Sequence, residues 1–174
     1  MRKIILQLVV SLDSFIEGPN GEFDWCFTDQ DYGMGNFLSR IDAIFAGRKT
    51  YELIMSMGEH GKAAFPSLTY YVFSNTLTGV DNGDIIVSGD IRKQVEKIKN
   101  SPGKDIWLFG GAHLTSSLMQ LGLVDEIALA VHPILLGSGK PLFSDLRQRV
   151  QLQHTGTETF STGLVFLTYN ILHN

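Results

Sequence analysis

The sequence predicts an α/β fold whose mostly parallel, mixed sheet ends in an antiparallel strand pair. Two observations carry this. Short apolar runs bounded by Gly, Pro, Ser or Asn alternate with segments whose apolar residues recur at helical spacing, and such strand–helix–strand units make right-handed crossovers between parallel strands. After Pro133 the helical period does not recur, and residues 150–157 and 164–171 read as two strands joined around residues 161–163. With 174 residues and no repeat, low-complexity stretch or linker, the chain is expected to form one domain over residues 1–174.

Residues 4–10 are apolar except for Gln7, as suits a central strand packed on both faces. Residues 11–25 gather Gly18, Pro19, Asn20 and Gly21 between the anchors Phe15, Ile16 and Trp25, a surface loop that reads as a functional lid or as a plain hairpin excursion. Met34, Phe37, Leu38 and Ile41 then mark an amphipathic helix preceded by Thr28, Asp29 and Asp31. Either carboxylate can cap that helix; if one faces a cleft, it can hold a protonated ring nitrogen or supply a proton.

Residues 43–46 form a strand ending at Gly47, where GRKTYELIMSMG opens a second helix. Arg48 and Lys49 sit poorly at a helix N-terminus unless an anion lies there, because the dipole favours cations at the other end. Residues 68–73 make a Tyr- and Val-rich strand that stops at Ser74, Asn75 and Thr76, and residues 84–87 make another. Ile91, Val95 and Ile98 give a third helix with Arg92, Lys93, Lys97 and Lys99 on its solvated face.

Residues 106–109 read as a buried strand stopped by Gly110 and Gly111. Leu114, Leu118 and Leu121 share one face of the following helix, and Gly122 stands where a C-terminal glycine belongs. Ile127, Leu129 and Val131 then alternate with Ala128, Ala130 and His132, a strand that Pro133 closes.

A formal charge of −4 with scattered Lys and Arg argues against a nucleic-acid surface. Cys26 is the single cysteine and sits between Trp25 and Phe27, a packed thiol more than a nucleophile. His60, His113, His132, His154 and His173 show no metal-ligand spacing, so no metal is assigned. Residues 3–10 are too short to span a membrane, and a cytoplasmic protein without a membrane partner is expected.

The strand ends at Gly47, Ser74 and Gly110 should open on one edge, because parallel strands share their carboxyl ends. One glycine-rich turn before a helix is weak evidence for an anion, and a steric turn explains it equally well. Three donor-rich ends on one edge suggest a ligand with several phosphates, such as a dinucleotide, and with a nicotinamide the natural chemistry is hydride transfer.

The stretches SLDSFIEG, GRKTYE, FSNT and FGGAHLTSSLMQLGLVDEIALAVHPILLGSGKPLF together resemble the dihydrofolate reductase superfamily over nearly the whole chain. Within it they are similar to the C-terminal reductase domain of the bifunctional riboflavin-biosynthesis enzyme, RibD. The resemblance implies a three-layer α/β/α dihydrofolate reductase-like fold, NADPH as cofactor and a homodimer. It implies that Gly47, Arg48 and Thr50 form a cofactor-phosphate turn and that Ser74 and Asn75 lie near the adenosine 2′-phosphate. It further implies that Gly110, Gly111, Ala112, His113 and Leu114 make the pyrophosphate turn, and that Val9 and Ile16 wall the nicotinamide.

By the same resemblance Asp31 falls where folate reductases keep their pterin-binding acid, with Asp29 as the other candidate, and Ala112 replaces the superfamily's usual third glycine. No counterpart is found for the basic pair that holds a phosphoribosyl group. The expected activity is NADPH-dependent reduction of a small heterocycle, the family-level substrate being 5-amino-6-(5-phosphoribosylamino)uracil. Reduction of dihydrofolate or another pterin is the alternative enzyme reading, and a non-catalytic NADP-binding module the alternative of another class.

Overall fold

The computed structural model describes residues 1–58, 61–65, 67–81 and 83–173, so His60 lies outside the described residues. Its centre is the strand β1 (Ile4–Ser11), flanked in parallel by β6 (Asp105–Gly110) and β7 (Glu126–His132). On the β6 side the sheet continues in parallel through β3 (Ile41–Gly47), β4 (Thr69–Phe73) and β5 (Ile85–Val87). Beyond β7, β10 (Val165–Leu172) and β9 (Gln151–Thr159) add as the expected antiparallel pair. The strand order is therefore β5-β4-β3-β6-β1-β7-β10-β9.

The period-two alternation of β1 divides the core. Ile4, Leu6 and Val10 are buried toward α3 (Ile91–Lys99) and α4 (Ala112–Gln120), in one cluster with Val95, Leu114, Leu118 and Met119. Ile5 points the other way, into a cluster with Trp107, Phe37 of α1 (Met34–Arg40), and Tyr51 and Ile54 of α2 (Arg48–Ser56). Fully buried Leu118 and Ile4 each contribute about 1.5–3 kcal/mol relative to exposure. The helices thus make the two outer layers of a three-layer fold, but their cover stops at β7, and β9 is exposed along nearly its whole length.

Most boundaries follow the chemistry that marked them. At the end of α4, Gly122 adopts φ 65°, Leu123 N–H reaches back to Leu118 C=O, and Gly122 N–H to Met119 C=O, the double bond of a Schellman end. α1 differs from expectation. It begins after Gly33, whose φ of 80° sets the entry, with no acid in its first turn, although Asp31 still reaches in and accepts the Gly35 N–H at 2.9 Å.

The glycine-rich loop after β1 is not a plain hairpin excursion. Within it β2 (Phe15–Glu17) pairs antiparallel with β8 (Lys140–Pro141), drawn from the turn-rich LLGSGKPLF segment. Asp13 fastens the two segments: its carboxylate accepts from Ser11 Oγ at 2.6 Å, from Leu136 N–H at 3.1 Å and from Gly137 N–H at 2.8 Å. Those donors, the Ser11 hydroxyl foremost, hold its carboxyl below the usual carboxylate range.

Candidate functional site

A cavity of about 630 Å³ opens where the α1/α2 layer ends. Its position follows from side-chain size. On this face β7 presents Ala128, Ala130 and His132, and the direct neighbour of Val9 is Ala130, so small residues leave room beside β1. Trp107 and Phe109 of β6 and Phe166 of β10 supply aromatic walls, and residues 23–32 cross in front with Phe23, Phe27 and Tyr32.

His132 holds part of that wall in place. It is 2% exposed; Nδ1 lies 3.2 Å from Ala130 C=O, and Nε2 accepts the Phe27 N–H at 3.0 Å. Both nitrogens are satisfied only in the neutral tautomer that carries its proton on Nδ1, and burial pushes the pKa down from 6.5. Trp25 and Phe27 pack against the imidazole with centroid separations of 5.5 and 4.7 Å. Cys26 also lines the cavity; burial raises its thiol to about 11, which keeps it protonated and a poor nucleophile.

At the other end lies the N-terminus of α4. Gly110 has φ 96°, the Gly110–Gly111 peptide is cis, and Gly111 is the N-cap. A β-carbon on Gly111 would stand 3.3 Å from Thr50 Oγ1 and 3.9 Å from Lys140 Nζ. A β-carbon on Gly47 would stand 3.8 Å from the Gly110 carbonyl oxygen and 3.9 Å from Leu114 Cβ. The chain ends after β3 and β6 therefore meet, with a hydroxyl, an ammonium and a helix N-terminus around a position kept free of side chain. Such a donor set fits a phosphate group. Lys140 is the one Lys or Arg among the described residues that line the cavity, and it is paired with Glu17 at 3.1 Å.

Of the residues expected at the site, Val9, Ile16, Asp31, Thr50 and Gly111 line this cavity. Gly47, Gly110 and Leu114 stand directly behind Gly111 and Thr50, and buried Ala112 forms the first turn of α4. His113 points instead into a second, more polar cleft of about 660 Å³ with Ser116, Gln120 and Arg147. Arg48 is exposed, and its guanidinium lies 3.4 Å from Glu52 one turn along α2. Ser74 Oγ accepts the N–H groups of Thr76 and Leu77, and Asn75 Oδ1 accepts that of Gly89, so both side chains also serve the turn that follows β4.

The two acids differ. Asp31 lines the cavity, whereas Asp29 accepts a hydrogen bond from Tyr32 Oη at 2.6 Å. His132, Lys140 and Gln7 also line the cavity, although nothing in the sequence motifs singles them out for it. The polar interruptions of two apolar strands, Gln7 in β1 and His132 in β7, were the signal available for two of them.

These features define an α/β protein of dihydrofolate reductase-like fold, with an aromatic cavity at the carboxyl edge of its sheet and the Thr50 hydroxyl, the Lys140 ammonium and the α4 N-terminus at one end. The chain belongs to the RibD C-terminal domain family, whose model matches residues 2–166. It is 46% identical to the uncharacterized protein YyaP of Bacillus subtilis, over 97% of this chain and 95% of that one. Among solved structures, a Shewanella protein provisionally named for riboflavin biosynthesis superposes with a TM-score of 0.85 at 26% identity, covering 99% and 100% of the two chains. A deaminase/5-amino-6-(5-phosphoribosylamino)uracil reductase of Thermotoga maritima gives 0.74 at 13% identity, covering 98% of this chain and 57% of that one. Dihydrofolate reductase of Enterococcus faecalis in complex with NADP(H) gives 0.71 at 14%, covering 97% and 96%. At these last two identities the likeness is one of fold.

Proposed function

We propose that this protein is an NADPH-dependent reductase that delivers hydride to a small heterocyclic substrate in the cavity beside β1. The observation that carries the reading is the meeting of Thr50, Lys140 and the α4 N-terminus around Gly111, at the end of a cavity otherwise walled by aromatic and aliphatic groups. Bound NADPH would supply the hydride from its nicotinamide ring. The chain's own work is positional: Gly47, Thr50, Gly110, Gly111 and Lys140 hold the phosphates, Val9 and Ile16 flank the ring, and the aromatic walls exclude water. Arg48, Ser74 and Asn75 extend the cofactor site along the same sheet edge, with Ala112, His113 and Leu114 in the first turn of α4.

Asp31 is the proposed catalytic acid, oriented by the Gly35 N–H. Family membership supports the riboflavin-pathway reductase type, and 5-amino-6-(5-phosphoribosylamino)uracil is the first substrate to assay. A homodimer in the cytoplasm completes the reading; among the described residues no helix is long and apolar enough to cross a membrane.

Loss of NADPH absorbance with that substrate, and with dihydrofolate beside it, tests the activity. The engagement of Asp31 with its own helix favours one competing reading, a module that binds NADP without catalysis. Cofactor binding without turnover across pterins, pyrimidines and imines would establish that module; turnover that falls in Asp31→Asn would exclude it.

A further inference from the structure

Gln7 is the one polar side chain in the apolar run of β1, and it lies at the centre of the sheet, 5% exposed, on the floor of the cavity. Its Oε1 is buried and has no hydrogen-bond partner among the described residues. The surroundings explain why. Its direct neighbour on β7 is Ala128, which offers no polar group, and Trp107 Nε1 donates to the Gln7 backbone carbonyl at 2.9 Å and not to the side chain. An unpaired amide in this position costs stability, since a buried polar atom without a partner loses its water and gains nothing. An aliphatic side chain would fill the same place at lower cost.

Resting on the reductase reading above, we infer that Gln7 is a specificity-determining residue that reads a lactam or amino-imine edge of the substrate heterocycle. A carboxamide presents one acceptor beside one donor, and the group complementary to it is a ring N–H next to a carbonyl or ring nitrogen. The walls set the rest of the shape. Trp107, Phe109 and Phe166 accept a flat ring. The substrate class is thus a planar nitrogen heterocycle whose ring N–H is free, recognised by pairing with Gln7 in the interior. A site built to pair such an edge rejects an analogue that lacks it, because the amide is then left unsatisfied.

The test titrates lumazine and aminouracil, together with their ring-N-methylated derivatives, into wild-type protein, Gln7→Leu and Gln7→Met, each with and without NADP+. Both variants put an apolar side chain of similar volume in its place, and thermal melting checks their folding. The lactam probes are expected to bind wild type and to lose about tenfold or more in affinity in both variants. The methylated probes are expected to bind wild type weakly and to change little. Melting temperature is expected to hold or rise in Gln7→Leu, the opposite of what a purely structural glutamine would give.

Equal binding of free and methylated probes to wild type would overturn the inference. So would unchanged lactam binding in the variants, or no binding of any probe to wild type. NADP+ is titrated separately by the fluorescence of Trp25 and Trp107: its failure to bind counts against the reductase reading, while the cofactor-free probe titrations still decide the role of Gln7.

Discussion

Thr50 Oγ1 and Gly111 Cα, one from the start of α2 and the other from the start of α4, are packed so closely that a β-carbon on Gly111 would stand 3.3 Å from the hydroxyl. The residues are far apart in sequence, and what joins them is the parallel pairing of β3 with β6, whose register sets Ala46 beside Gly110. A glycine there keeps open the space that a phosphate would need. Gly111→Ala should therefore fold, displace Thr50 by a few tenths of an ångström, and weaken NADPH binding by roughly tenfold, the loss expected for about one misplaced hydrogen bond to a charged group. Thr50→Val should cost a similar amount. Fluorescence titration of each variant, with melting temperature as the folding control, makes the comparison.

Gly139 decides whether the β2–β8 ladder forms. Its φ is 149°, and a β-carbon there would come within 2.2 Å of the Glu17 carbonyl oxygen, which is fixed backbone. Gly139→Ala should break the pairing that carries Ile16 and Lys140, costing about 2 kcal/mol or more and lowering the melting temperature by roughly 4–8 °C. A melting curve and an NADPH titration on the same sample report both consequences.

Protonation of His132 should release the wall it holds. With its proton on Nδ1 the ring accepts the Phe27 N–H through Nε2, and a second proton would set donor against donor. Because burial depresses the folded-state pKa below 6.5, the unfolded chain takes up the proton first as pH falls. Stability is then unaffected above about pH 7, decreases as pH drops through the unfolded value near 6.5, and levels off below the folded value. His132→Gln, which keeps an acceptor in the same region, should flatten that slope. Chemical denaturation from pH 5 to 8 measures both.

The Asp13 latch should persist across that window, since its carboxyl is held below the usual value of 3.8 and its stabilising effect is lost only as pH falls through the depressed one. Asp13→Ala should speed amide hydrogen exchange at Leu136 and Gly137 while β1 remains protected.

Strands β1, β3, β4 and β6 and helices α2, α3 and α4 were legible because each carries its own period or its own terminal glycine. Gly122 is the clearest case: one residue named the end of α4, and the Schellman bonds follow. The β2–β8 ladder was not legible, because ladders of three and two residues have no period and depend on contacts between distant loops. The cavity was half legible. Val9, Ile16, Thr50 and Gly111 followed from strand-end logic and family resemblance. His132 and Lys140 did not, since a histidine closing a strand and a lysine in a glycine-rich turn are each unremarkable until folding sets them against Phe27 and Gly111.

Calorimetric titration of the wild-type protein with NADPH tests the central claim most directly. Saturable binding, weakened in Gly111→Ala and in Lys140→Met and accompanied by quenching of tryptophan fluorescence, is the result expected of a cofactor seated between the α4 N-terminus and β1. Absence of heat with either oxidation state of the cofactor, in protein that melts cooperatively, would contradict it.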